Sequence, residues 1–331
     1  MQIERIAILG AGAWGTALAI AAADVRLAVT LVARNTDQAA EINSAHTNRR
    51  YLPGITLPQK ITATCDLECL NGADLVMTAV PAQITRARLQ SLSPEALRGK
   101  PVILTAKGLE ALSGKRQSEI LAELHPEAEA LVLSGPSFAS DMAIGRPTAV
   151  TLAGQEETQT NRIAQALASK RFRPYASADI VGVELAGALK NVYALACGAV
   201  DGAELGASAR AALIARGFAE MTRLVEGLGG APATMAGLAG LGDLTLSCTT
   251  PQSRNYSSGV WLGRGETPAE IERRGTGLSE GIASAPVALA LAQRHGIDAP
   301  LIAAVNQLIA GTAPIADIVT ALMTRPLKKE D

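Results

Sequence analysis

Apolar residues in the first half of the chain fall into short uninterrupted runs: Ile3–Leu9, Leu27–Ala33, Leu75–Val80, Val102–Ala106 and Ala130–Leu133. Runs of this length, rich in Val, Ile and Leu, suit strands buried on both faces of a parallel sheet. Helical patterns lie between them, at Thr16–Ala23, Asp37–Asn43, Gln83–Ser91 and Gly114–Leu124. This alternation predicts a doubly wound parallel sheet. Two more runs, Ala149–Leu152 and Arg171–Tyr175, flank a helix from about Glu156 to Ala168 and extend that sheet.

The pattern changes near Asp179. Long apolar-periodic segments follow at Val183–Val200, Ala209–Leu228, Ala285–Arg294, Ala299–Gly311 and Ile315–Met323, with Gly and Pro between them and no strand-like runs. They predict an all-helical unit. The chain therefore divides into an α/β half, residues 1–177, and an all-α half, residues 178–331.

Composition narrows the function. A chain of 331 residues has room for two domains. Lys plus Arg number 30 against 31 for Asp plus Glu, a net charge of −1, so nothing draws it generally to nucleic acid or to an anionic membrane. With 48% hydrophobic but only 3% aromatic residues, the core is built from Ala, Leu, Ile and Val, and the chain is too apolar to be disordered. No apolar run reaches the roughly 18 residues that span a bilayer; Thr16–Ala33 comes nearest and is broken by Asp24 and Arg26. The start, MQIERIAILG, lacks the plan of a signal peptide. Cys65, Cys69, Cys197 and Cys248 form no C-x-x-C pair, and His46, His125 and His295 are scattered. A cytoplasmic, metal-free protein without a membrane span is expected.

Gly10-Ala11-Gly12-Ala13-Trp14-Gly15 fits G-x-G-x-x-G directly between a strand and a helix. The first glycine permits the tight turn, the second lets backbone approach a pyrophosphate, and the third lets helix pack on strand. In that context the motif points to a dinucleotide. The second strand ends at Arg34-Asn35 and offers no acid before Asp37. An arginine there can pair with a 2′-phosphate and stack on adenine, so acceptance of NADPH is expected.

Lys107-Gly108 and Ser134-Gly135-Pro136-Ser137 both follow strands, where open α/β sheets place ligands, although each also suits a simple turn. Lys190 stands among Leu185, Ala186, Leu189, Val192 and Tyr193, about 120° from Glu184 around the helix, so the two form no common polar stripe. Such a lysine either snorkels to the surface or faces a cavity. In a desolvated crevice it could exchange protons near neutrality. Gly240-Leu241-Gly242-Asp243-Leu244, Gln252-Ser253-Arg254-Asn255 and Gly277-Leu278-Ser279-Glu280-Gly281 read alone as loops and caps; Arg254 with its neighbours gathers donors for a phosphate or carboxylate.

Taken in order, these motifs, with Tyr51-Leu52-Pro53-Gly54, Val80-Pro81 and Ala188-Leu189-Lys190-Asn191, resemble bacterial NAD(P)-dependent glycerol-3-phosphate dehydrogenases from Ile6 to about Pro300. The resemblance implies a Rossmann-like domain followed by a helical domain of the 6-phosphogluconate dehydrogenase C-terminal type. It also implies reduction of dihydroxyacetone phosphate to sn-glycerol 3-phosphate by NADPH or NADH, for glycerophospholipid synthesis. Lys190 takes the place of the catalytic lysine. Lys107, Gly135, Ser137, Lys190, Asn191, Asp243, Ser253, Arg254 and Asn255 fall at substrate positions. Gly10, Gly12, Ala13, Trp14, Gly15, Arg34, Tyr51, Lys107, Ala139, Arg254, Leu278 and Glu280 fall at coenzyme positions. Ala13 departs from the usual serine and Ser208 from the usual asparagine.

Two other readings compete. In a β-hydroxyacid dehydrogenase, Arg254 would grip a carboxylate. A non-catalytic dinucleotide sensor would need no proton donor, which the placement of Lys190 opposes. A homodimer is an expectation that the sequence itself does not fix.

Overall fold

The computed structural model describes residues 3–275 and 279–326. Its α/β half contains strands β1 (Arg5–Leu9), β2 (Ala28–Val32), β3 (Ile61–Thr64), β4 (Leu75–Thr78), β5 (Pro101–Leu104), β6 (Glu129–Ser134), β7 (Thr148–Gly154) and β8 (Phe172–Ser177). Helices α1 (Ala13–Asp24), α2 (Thr36–Ala45), α3 (Ala82–Gln90), α4 (Gln117–Leu124), α5 (Ala139–Ala143) and α6 (Glu157–Leu167) connect them. The strands form one sheet in the order β3-β2-β1-β4-β5-β6-β7-β8. Side chains alternate between its faces: along β1, Ile6 and Ile8 join one apolar layer while Ala7 and Leu9 join the other. Each large aliphatic side chain so buried contributes about 1.5–3 kcal/mol.

The expected sheet differs from the observed one in two places. β7 runs antiparallel to β6, so the sheet is mixed rather than wholly parallel. A parallel return needs a crossover of a dozen or more residues, usually helical. The only helix between β6 and β7 is the five-residue α5, too short to carry the chain back along the strand. β3 was not foreseen because it is an edge strand: only Ile61 and Ala63 of its four residues are buried, so it shows alternation instead of an apolar run.

The helical half holds α7 (Ile180–Gly202), α8 (Ala207–Gly227), α9 (Pro232–Met235), α10 (Asp243–Cys248), α11 (Arg254–Gly263), α12 (Pro268–Arg273), α13 (Glu280–Arg294), α14 (Pro300–Ala310) and α15 (Ile315–Met323). The Asp179 carboxylate caps α7 by accepting from Gly182 N at 2.8 Å. α7 is the axis of this half, packed by α8, α10, α11, α13 and α14. By length and composition α7, not Thr16–Ala33, could cross a membrane, but 94% of its most apolar window is buried inside the fold. That is the environment of a core helix.

The approach of α11 to α7 is set by glycines. A Cβ at Gly198 would lie 2.0 Å from Tyr256 O, and one at Gly259 would lie 2.1 Å from Leu195 O. Gly202 and Gly263 repeat the arrangement one turn on. Backbone therefore meets backbone, and the start of α11 is held over the middle of α7.

Candidate active site

The crevice opens where the sheet order reverses, between β1 and β4. Gly10 takes φ +112°, and a Cβ there would lie 2.7 Å from Ala79 O, just beyond β4. At Gly15 a Cβ would meet Gly10 O at 1.9 Å, so the helix start must pack on the turn without a side chain. Gly12 differs: nothing lies within 4 Å of its Cβ position, which leaves its backbone open to a ligand. The indole Nε1 of Trp14, in the first turn of α1, is buried with no hydrogen-bond partner. An open glycine face, the free amides of a helix start and an unused donor together fit a dinucleotide pyrophosphate.

Asn48, missed in the sequence, holds this turn in place. It is 1% exposed and donates from Nδ2 to Ala11 O at 2.9 Å and to Thr16 Oγ1 at 2.8 Å. Gln38 Nε2 donates to the same Ala11 carbonyl at 2.6 Å. Polar loop residues carry no periodic signal, so neither stood out. Beyond them, Arg34 and Tyr51 line a cavity of about 270 Å³.

A second cluster lies beyond the carboxyl end of β5. Lys107 Nζ donates to Gly135 O at 2.8 Å and to Asp243 Oδ2 at 2.7 Å. Lys190 Nζ donates to Asp243 Oδ1 at 2.8 Å and to Ser247 Oγ at 2.7 Å. Lys190 is 7% exposed and Asp243 1%, so the lysine faces the interior and does not snorkel outward. Glu184 serves a separate task, accepting from Ser118 N at 2.9 Å, as expected if the two charges share no stripe. Ser247 was overlooked because a serine inside a short helix looks ordinary; its position four residues after Asp243 puts both on one helix face.

The electrostatics follow from burial and charge. Desolvation pulls the Lys107 ammonium below the ordinary lysine value, and the charge of Lys190 adds to the pull while Asp243 resists it. Burial alone would raise Asp243, but the two ammonium groups outweigh it and hold its carboxyl below the usual range. The backbone widens into a π-helical turn at Leu238–Gly242 before Asp243 opens α10. Such irregular turns often set functional side chains.

Hydrogen bonds join the other candidates. Asn191 Nδ2 donates to Lys107 O at 2.7 Å, and Asn255 Nδ2 donates to Asn191 Oδ1 at 2.8 Å. Asn255 Oδ1 accepts from Ser279 Oγ at 2.7 Å and from Gly281 N at 2.9 Å. Between those two, Glu280 accepts from Ala82 N at 2.9 Å and so reaches the sheet half. Ser137 Oγ donates to Gly135 O at 3.0 Å. At Gly135, φ is +143° and a Cβ would lie 2.9 Å from Val150 Cα, so only glycine fits. Ser253 is the N-cap of α11, with Oγ accepting from Tyr256 N at 3.3 Å, and Arg254 is its exposed first residue. Ser253 is thus a cap, as the pattern allowed, and Arg254 and Asn255 open the helix, so Arg254 stands beside amides suited to an anion. Ala13 and Trp14 in α1 and Ala139, the first residue of α5, border one apolar layer, with α5 against α1. Leu278 lies outside the described residues.

Two family models match the chain. The N-terminal model of NAD-dependent glycerol-3-phosphate dehydrogenase covers residues 5–160, and the C-terminal model covers residues 179–320. A glycerol-3-phosphate dehydrogenase [NAD(P)+] of Parvibaculum lavamentivorans is 48% identical over 330 residues, covering 100% of this chain and 99% of that one. The protein of the same name from Caulobacter vibrioides is 47% identical over 330 residues, with 100% of both chains covered. Among solved structures, the glycerol-3-phosphate dehydrogenase of Coxiella burnetii superposes with a TM-score of 0.92 at 37% identity, over 98% of this chain and 99% of its own.

Proposed function

This chain belongs to the NAD-dependent glycerol-3-phosphate dehydrogenase family, and from that premise we propose how its residues divide the reaction. It is an NAD(P)-dependent oxidoreductase that interconverts dihydroxyacetone phosphate and sn-glycerol 3-phosphate. Residues 1–177 hold most of the coenzyme, and residues 178–331 supply most of the substrate contacts, the proton donor and the rest of the coenzyme site.

When bound, the reduced nicotinamide supplies the hydride. As hydride reaches the carbonyl carbon, charge grows on the carbonyl oxygen. Lys190 Nζ gives that oxygen a proton, forming the alcohol and leaving a neutral amine; in the oxidation direction it takes the proton back. General acid–base help of this kind contributes about 10²–10⁴-fold. Asp243 and Ser247 hold the ammonium in one orientation. Lys107 keeps a second positive charge beside the developing oxyanion. Arg254 and the amides at the start of α11 bind the phosphate, and Gly135, Ser137, Ser253, Asn191 and Asn255 shape the rest of the substrate pocket. Gly10, Gly12, Ala13, Trp14 and Gly15 cradle the pyrophosphate, Arg34 and Tyr51 receive the adenosine end, and Ala139, Leu278 and Glu280 complete the coenzyme site.

The observation that carries this assignment is the shared carboxylate of Asp243, gripped by a lysine from each half. The decisive assay follows loss of reduced-nicotinamide absorbance with dihydroxyacetone phosphate, first with NADPH and then with NADH. Absence of turnover with both would sink the assignment. With Arg34 just beyond the second strand, NADPH is the preferred coenzyme; a strong NADH preference unaltered by Arg34→Ala would reverse this. Glycerophospholipid synthesis, a cytoplasmic location and a homodimer accompany the reading as expectations, the last decided by light scattering.

A further inference from the structure

We propose that Arg50 is a second cation of the coenzyme's 2′-phosphate subsite, so that this chain selects NADPH with two arginines from separate segments. The inference rests on the coenzyme reading above and deepens it. Arg34, two residues beyond β2, and Arg50, on the loop closed by the Thr47–Thr56 bridge, line the same cavity of about 270 Å³.

The charges around that cavity are not balanced. Two acids, Asp37 and Glu41, also line it. Glu41 is already committed: its Oε1 accepts from Arg49 N at 2.9 Å, Arg49 Nε at 3.1 Å and Thr47 Oγ1 at 2.8 Å. Arg49 thus neutralises Glu41 and leaves Asp37 alone against Arg34 and Arg50. Asp37 sits in the first turn of α2, where the helix start already favours its charge. Among the described residues neither Arg34 nor Arg50 has a carboxylate partner. The guanidinium of Arg50 lies 5.6 Å from the centre of the ring of Tyr51, which the reading above places at the adenosine end. A cavity with an excess of guanidinium groups at the ribose end favours a phosphate there over a hydroxyl.

Arg50 could instead only steady Tyr51, and then its loss would weaken nucleotides with and without the 2′-phosphate alike. Adenosine 2′,5′-bisphosphate and adenosine 5′-monophosphate differ only in that phosphate, and calorimetry measures both without turnover. For Arg50→Ala, the affinity ratio of bisphosphate to monophosphate is expected to fall about tenfold, with the monophosphate weakened less than about twofold. Equal weakening of both, or an unchanged ratio, overturns the proposal. Arg34→Ala separates the levels: a ratio lowered by that change but not by Arg50→Ala removes Arg50 and leaves the coenzyme reading standing. A wild-type chain that binds neither nucleotide removes both.

Discussion

Lys107 and Lys190 hold opposite oxygens of one carboxylate, Oδ2 and Oδ1 of Asp243, at 2.7 and 2.8 Å. One lysine follows a strand and the other lies in the central helix of the second half, so this contact ties the cation of the helical half to the sheet half. Replacing Asp243 by Asn keeps the shape but leaves two ammonium groups without their counter-charge. Breaking a buried pair in this way costs about 3–5 kcal/mol, which a denaturant titration would read, and turnover should fall by about 10² or more. The Asp243 carboxyl titrates below its ordinary 3.8, so its stabilising contribution is complete above that value and is lost as pH falls through the lowered one. The stability gap between wild type and Asp243→Asn should therefore close in acid.

Lys107 predicts a slope of the same sign at the alkaline end. Burial, aided by Lys190, pulls it below 10.5, so the unfolded chain holds this proton more tightly than the folded one. Between the lowered value and 10.5 its contribution makes stability rise with pH. Activity should decline over the same window, because a neutral Lys107 no longer counters charge in the crevice. Lys107→Arg does not titrate there and should move the alkaline limb of kcat/KM upward; a limb that stays in place belongs to another group.

Lys190→Ala should lower kcat by about 10²–10⁴ while the dissociation constant for NADPH, read by fluorescence titration, changes little. A variant within about tenfold of wild type would remove the lysine from proton transfer, since that corresponds to only ~1.4 kcal/mol of barrier.

Arg254→Ala should act on substrate capture, raising KM for dihydroxyacetone phosphate by about tenfold or more, because a charge-assisted pair with phosphate is lost at an exposed helix start. Arg254→Lys should restore part of the effect, retaining charge without the planar fork. Steady-state kinetics that show an unchanged KM would place the phosphate elsewhere.

Gly259→Ala inserts a methyl 2.1 Å from Leu195 O, where two helix backbones touch. Neither backbone can yield alone, so a loss of about 1–3 kcal/mol is expected in thermal or chemical unfolding. The same change should raise KM for the phosphorylated substrate, since it lifts Asn255 and Arg254 away from α7. Destabilisation without a kinetic effect would show that α11 repacks freely.

Much of this site was legible in the sequence because its residues break local patterns. Lys190 stood out as a lysine among the apolar residues Leu185, Ala186, Leu189, Val192 and Tyr193, and the glycines of the turn stood out by spacing. The parallel core strands were visible as apolar runs, whereas β3 alternates and was hidden. The reversal of β7 depends on how little helix α5 supplies, which strand patterning does not report. Ser247 and Asn48 were invisible for a different reason: each acts by bonding to residues distant in sequence, and neither disturbs the pattern around it. The N-terminus of α11 was obscured by its Ser- and Gly-rich composition, although those glycines are what bring the helix in.

Asn191 gives its amide hydrogen to the Lys107 carbonyl in the sheet half and its oxygen to Asn255, which in turn supports the segment carrying Glu280. A single side chain thus ties together the walls proposed for the coenzyme and substrate sites. Were the two sites coupled through it, the coupling would be reciprocal: the factor by which the phosphorylated alcohol strengthened coenzyme binding would have to equal the factor by which coenzyme strengthened binding of the alcohol.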